Sequence, residues 1–292
     1  MRWKMIRFET IADLVQLGTE EAAPISEIVL RSEAESSRQS RFIVMATMGE
    51  NWRVMKEAIE RGVENRERSL SGLTGGDAEK LFARRNKGYM GAAALAAAAY
   101  AVGVGEVNAA MGRIVACPTA GSCGIVPAAL YTAMKQGKSE EAIIQSLFTA
   151  AGIGMVIEAN ASIAGATGGC QAECGSAAGM AAAALTELGG GDPETVSHAA
   201  ALAIKNLLGL VCDPVAGLVE VPCVKRNGFA AAHAMLAADM ALAGIRSVIP
   251  ADEVIEAMKN IGRALPRTLK ETAEGGLAMT TTAQKITQKL YG

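Results

Sequence analysis

From Gly88 onward the chain is dominated by alanine and glycine, with runs such as G-A-A-A-L-A-A-A-A-Y-A-V-G-V over residues 91–104. Alanine is the best helix former and a poor strand residue, and small side chains let neighbouring helix backbones approach closely. Few segments show the alternating β-branched pattern of a half-buried strand. The expected fold class is therefore all-α: Ala/Gly-rich buried helices, with the loops between them free to build a site.

Helices are predicted near residues 90–108, 122–136, 139–158, 174–188, 193–208, 228–244 and 251–264. Ser139 before Glu140-Glu141, and Asp192 before Pro193, supply N-terminal signals. Four glycine- or proline-rich connections separate these helices: Cys117 to Gly121, Ala159 to Gly169, Leu210 to Val224, and Leu265 to Thr282. Rigid scaffolds often carry their chemistry on such connections.

Residues 1–88 differ in kind, since half of all the charged side chains lie there. Apolar residues recur at helical spacing in I-A-D-L-V-Q-L, I-S-E-I-V-L and F-I-V-M-A-T-M-G-E-N-W-R-V-M-K-E-A-I, which predicts amphipathic helices with a solvated face. Residues 69–81 read as a loop with Asp77 as N-cap of a short helix, and the E-N-R-E-R run at 64–68 as exposed helix surface. The expected organisation is a charged helical region, 1–88, packed on a domain spanning 89–292.

A formal net charge of −2 and the lack of a basic stripe argue against nucleic acid as the partner. The start, M-R-W-K-M-I-R-F-E-T, has no apolar core leading to a small-residue cleavage site, so a cytoplasmic location is expected. Residues 89–104 fall short of the roughly 20 that a bilayer requires and are mostly alanine, so a buried core helix is expected rather than a membrane span.

The six cysteines are too sparse for a secreted disulfide scaffold, which leaves metal ligation, catalysis or packing. Four of them (Cys170, Cys174, Cys212 and Cys223) fall within residues 165–227, in segments where glycine or proline allows sharp turns. Forty-one residues separate Cys170 from Cys212 and ten separate Cys212 from Cys223, which excludes C-x2-C zinc ribbons and ferredoxin-type runs. These residues suggest a thiolate cluster without saying which cysteines form it; any one of them could equally be an inert buried thiol.

Gly121 and Ser122 lead C-P-T-A-G-S-C-G-I-V-P into a helix, where free backbone amides could take a carboxylate, although a plain tight turn explains the same residues. Asn160, Ser162 and Thr167 place polar groups among glycines, and these could equally serve their own loop. His198 and His233 lie in alanine-rich helices and read as packed or surface residues. No H-E-x-x-H, G-x-S-x-G or Walker sequence is present.

The segments P-T-A-G-S-C-G-I-V-P, N-A-S-I-A-G-A-T-G-G-C-Q, N-L-L-G-L-V-C-D-P-V-A-G-L-V-E-V-P-C-V-K-R-N and K-E-T-A-E-G-G-L-A resemble the α chain of the iron–sulfur-dependent L-serine dehydratases. The resemblance covers about residues 90–290. It implies an all-helical catalytic domain with a [4Fe–4S] cluster on Cys170, Cys212 and Cys223, and an open iron that binds L-serine. It further implies that Thr119, Gly121, Asn160 and Ser162 hold the substrate carboxylate and amine, and leaves Cys117, Cys123 and Cys174 to packing. Single-chain relatives end in a cysteine that can reach the open iron, whereas this chain ends K-L-Y-G. The family's S-S-S-H-T segment, whose histidine is the candidate base, is absent too, so the resemblance implies a separate β chain.

Three alternatives stand beside this reading. An iron–sulfur lyase acting on L-cysteine or L-threonine would use the same site. A pyridoxal-phosphate dehydratase with Lys205 as Schiff base and G-A-T-G-G as phosphate loop would need alternating strands and helices. A non-catalytic redox or iron-sensing protein would need four protein ligands.

Overall fold

The computed structural model describes residues 6–64 and 68–292, so the first five residues and the centre of the E-N-R-E-R run lie outside the description. Thirteen α-helices and no strand are formed by the described residues: α1 Ile11–Glu20, α2 Ile25–Ser37, α3 Arg41–Glu64, α4 Asp77–Ala83, α5 Gly91–Ala109, α6 Ile125–Lys135, α7 Glu140–Asn160, α8 Gly165–Gly168, α9 Ser176–Leu188, α10 Pro193–Lys205, α11 Cys223–Leu242, α12 Ala251–Ala264 and α13 Thr281–Tyr291. The chain is all-α, as its composition requires. The strands that a pyridoxal-phosphate fold would supply are missing from the described residues.

Helix α9 is the axis of the packing and is buried at almost every position from Ser176 to Thr186. It touches α6, α7, α10 and α11, and alanine and glycine make those contacts close. Around this core, α5 lies against α11 and receives α3 and α4 on another side, while α2 covers α7. At the α3–α5 crossing Gly62 meets Gly103 so tightly that a Cβ on Gly62 would stand 2.4 Å from the Gly103 carbonyl. Gly228 on α11 similarly faces the Ala98 carbonyl of α5, at 3.1 Å from where a Cβ would be.

The seven helices expected after Gly88 are all present, most with ends within a few residues of those predicted. Ser139 accepts from the Ala142 amide and Asp192 from the Thr195 amide, so both cap as their positions suggest. Helix α11 begins at Cys223 rather than near residue 228, because Pro222 stands just before the first turn, where its missing N–H breaks no helical bond. The 265–282 connection ends two residues early, and α13 follows it unanticipated.

Asp77 is the first residue of α4, not its cap. The buried Glu106 carboxylate of α5 takes that role, accepting from the amides of Asp77 (2.8 Å) and Ala78 (3.4 Å). Among the described residues two helices, α5 and α7, are long and apolar enough to cross a membrane by length and composition alone, and 61% of the apolar stretch of each is buried inside the protein.

Candidate active site

Three separate segments bring the cysteines of residues 165–227 together. The first is a π-helical turn, Gln171–Gly175, inserted between α8 and α9. Such insertions widen the helix locally and recur at functional sites. Here the turn stacks Cys170 on Cys174, with sulfur atoms 3.5 Å apart. The fully buried Gln171 pins it in place, donating to the carbonyls of Gly168 (2.9 Å) and Met258 (3.0 Å) and accepting from the Gly209 amide (2.9 Å).

Cys212 lies on the second segment, held in an isolated bridge in which its amide donates to Leu269 (2.9 Å) and its carbonyl accepts from Glu271 (2.8 Å). Cys223 opens α11 and lies on the third. All four sulfur-bearing residues are buried and none forms a disulfide. Arg226 ties the first turn of α11 to Val211 and Asp213, and α11 also packs against the π turn, so Cys170, Cys212 and Cys223 lie on three segments in mutual contact.

Glu173 projects from the π turn into this neighbourhood. Its Oε1 accepts from Thr119 Oγ1 at 2.8 Å, and its Oε2 lies 3.9 Å from the Cys212 sulfur. Burial pushes its carboxyl above the usual range, against the pull of the Thr119 hydroxyl. Two glycines make room for it: a Cβ on Gly121 would stand 2.8 Å from one carboxylate oxygen, and a Cβ on Gly165 would stand 2.7 Å from the other and 3.1 Å from the Cys212 sulfur. Thr119 and Ser122 form a reciprocal capping box around the turn that carries Gly121.

Arg226, one turn into α11, pairs with Asp213 at 2.9 Å and donates to the Val211 carbonyl at 2.9 Å. Asp213 in turn accepts from the Leu277 amide at 2.8 Å, so one ion pair fastens the Cys212 segment to α11 and to the 276–279 turn. The thiol of Cys174 and the charge of Arg226 lower the Cys170 pKa, while Cys174 is driven up by that same sulfur contact. Burial raises Cys223 to about 12 and pushes Cys212 up further still. Cys117 and Cys123, both buried, are pushed to about 12 by burial and sit in the main hydrophobic cluster.

Thr119 and Gly121 thus meet Glu173 beside the cysteines. Asn160, at the end of α7, instead donates to the carbonyls of Glu9 (2.7 Å) and Val156 (2.9 Å). Ser162 accepts from the Ala164 amide at 3.1 Å and, with Thr167, lines a cavity of about 120 Å³ between α8 and α12. His198 lies on α10, 3.8 Å from Glu194, and the His233 ring contacts the Ala203 carbonyl at 2.9 Å. A separate concavity of about 980 Å³ is a mainly apolar trough along α5 and α11, with Lys225, His233 and Asp239 among its lining residues and none of the cysteines.

Glu173, Arg226, Asp213 and Asn227 are absent from the sequence-derived site. The glutamate lies inside Q-A-E-C-G, six residues from Thr167 of the polar loop, but its partner Thr119 is 54 residues away.

Soft thiolates are the usual donors to iron–sulfur clusters, and three of them on independent segments, with a glycine in contact with one sulfur, fit such a group. Among the described residues no three His, Cys, Asp or Glu side chains converge closely enough for a single metal ion. Thiolates that each bind a different iron of a cluster do not need that convergence.

The arrangement defines an all-helical protein with a buried thiol site closed by a carboxylate. Residues 20–278 match the family model described as serine dehydratase alpha chain, and the chain belongs to that family. It is 50% identical over 288 residues to the probable L-serine dehydratase, alpha chain, of Bacillus subtilis, covering 98% of this chain and 96% of that one. The L-serine dehydratase, alpha chain, of Peptoniphilus asaccharolyticus is 41% identical over 280 residues, covering 95% and 96%. A longer relative, the L-serine dehydratase of Streptomyces coelicolor, is 42% identical over 282 residues, which span 93% of this chain and 61% of that protein.

Proposed function

We propose that this chain is the α subunit of an L-serine dehydratase, an L-serine ammonia-lyase of the cytoplasm that converts L-serine to pyruvate and ammonia. The observation that carries the reading is that buried Cys170, Cys212 and Cys223 lie on three segments in contact beside Glu173, in a member of this family. These three thiolates would hold a [4Fe–4S] cluster, which when bound supplies Lewis acidity to the substrate's β-hydroxyl.

The chain's own groups would position the substrate. The Gly121 turn and the Thr119 hydroxyl border the site directly, and the Ser162 hydroxyl, which accepts from Ala164, keeps its own proton to donate. Asn160 would act from the neighbouring loop, holding the end of α7 against Glu9. Loss of the Cα proton and of the β-hydroxyl removes one water; hydrolysis of the resulting imine returns it and releases ammonia.

Neither histidine hydrogen-bonds a residue of this site. That supports a base from a separate β chain, as do the names of two relatives, each an L-serine dehydratase alpha chain. Anaerobic reconstitution with iron and sulfide, with and without a β chain, tests the proposal. Pyruvate from L-serine only with the β chain, and a cluster spectrum perturbed by serine, are expected. A loaded cluster that ignores serine in both samples would favour a redox or sensing role.

A further inference from the structure

A loop distant in sequence grips the Cys223 turn from both sides. Residues 69–74 fold back on themselves, the Ser69 amide donating to the Thr74 carbonyl at 3.0 Å and the Gly72 amide to the Ser69 carbonyl at 2.9 Å. Within this loop the Ser71 hydroxyl accepts from the Leu73 amide at 3.1 Å. Its proton, which the loop does not use, goes to Glu220, three residues before the cysteine, with both carboxylate oxygens at 2.8 Å. Glu220 is buried, and its carbonyl accepts from the Val224 amide at 3.0 Å in the first turn of α11. On the other side Lys225, two residues after the cysteine, pairs with Asp77 at 2.7 Å and donates to the Thr74 hydroxyl at 3.4 Å. Asp77 is itself fixed, because Glu106 of α5 accepts from its amide at 2.8 Å.

We infer that Ser71 and Asp77 are positioning residues for Cys223, clasping its turn through Glu220 and Lys225 so that the sulfur is held where iron can reach it. This rests on the dehydratase reading, which makes Cys223 a cluster ligand. Cys223 is the first residue of α11, and helix ends fray unless they are tied. Groups bonded around a ligand fix its orientation and are part of the metal site even though they never touch the metal.

The test reads the cysteine itself. Each cysteine of the full-length chain, before iron is added, is alkylated anaerobically with N-ethylmaleimide and its rate followed by mass spectrometry. Ser71→Ala and Lys225→Met are each expected to speed modification of Cys223 by about fivefold or more, since local opening exposes a buried group without unfolding the rest. Cys117 and Cys123, in the main hydrophobic cluster, should change less than about twofold in the same samples, because only wider opening reaches them. Ser71→Thr keeps the hydroxyl and is expected to restore the wild-type rate. The reconstituted complex with its β chain gives a second readout, loss of iron to a chelator about tenfold faster in both variants. A uniform rise at all six cysteines in both variants would mean a merely structural loop and overturn the inference, as would unchanged Cys223 rates. Should Ser71→Ala fail to fold, Lys225→Met decides by the same criterion. Wild-type complex that loads no cluster would overturn the ligand assignment of the dehydratase reading, whereas loaded wild type whose variants keep its Cys223 and iron-loss rates overturns the clasp alone.

Discussion

Asn227 donates its side-chain amide to the Gly121 carbonyl at 2.7 Å, so the helix that begins at Cys223 is bonded to the turn that carries Thr119. The same amide reaches the Cys223 carbonyl at 3.0 Å, and its oxygen accepts from the Gly124 amide at 2.9 Å. Three bonds from one buried side chain thus set the distance between a cysteine segment and the loop that faces Glu173.

Asn227→Ala is expected to destabilise the fold by about 3 kcal/mol, because it strands a buried amide and a buried carbonyl. Urea unfolding of the cluster-free chain would measure it. Iron retention should fall as well, since the Thr119 turn loses its tie to α11. A variant as stable as wild type would show that water replaces the side chain at little cost.

How much of this was legible beforehand depended on distance along the chain. Small-residue helices announce themselves locally, and so do caps such as Ser139 and Asp192, whose partners are three residues away. The cap of α4 does not, because Glu106 comes from the next long helix. The same limit hid the site's polar framework. Residues 225–227 fall between the expected connection, which ends at Val224, and the expected helix from 228, yet Arg226 and Asn227 lie on the first turns of α11, facing groups 13 and 106 residues away. The cysteine-bearing segment stood out through its glycines and prolines, whereas Glu173 resembles any helical glutamate until Thr119 is placed beside it.

Gly165→Ala separates site geometry from fold. The new methyl would press on the Glu173 carboxylate at 2.7 Å and on the Cys212 sulfur at 3.1 Å, both of them side-chain atoms that can shift. Alanine also favours the helical conformation Gly165 already has, so stability should change by less than about 1 kcal/mol. The serine KM is expected to rise at least tenfold. Steady-state kinetics beside a thermal melt would check both halves.

At the α3–α5 crossing the obstacle is backbone. Gly62→Ala would set a methyl 2.4 Å from the Gly103 carbonyl and 2.6 Å from its Cα, which no rotamer change relieves. The helices must separate, and a loss of about 3 kcal/mol is expected, at the upper end for overpacking. Gly103→Ala meets Gly62 at a roomier 3.0 Å and should lose less. A reversed order of the two in chemical denaturation would mean that α3 is not held against α5 as described.

The Asp192 cap of α10 gives a pH-dependent prediction of definite sign. The Thr195 hydroxyl and amide hold the Asp192 carboxyl below the ordinary aspartate value of 3.8. An acid whose folded pKa is depressed adds stability that is present above the unfolded value and is lost as pH falls through the folded one. Asp192→Ala is therefore expected to cost about 1 kcal/mol at pH 7, the usual worth of a helix N-cap. The difference from wild type should narrow as pH drops below 3.8, but not vanish, because a protonated carboxyl still offers its carbonyl oxygen to the Thr195 amide. Asp192→Asn should recover most of the loss at pH 7 and differ little from wild type in acid. Denaturation midpoints of the three proteins between pH 7 and pH 3 measure this. A gap between wild type and Asp192→Ala that widened on acidification would mean the carboxylate is not stabilised by the cap.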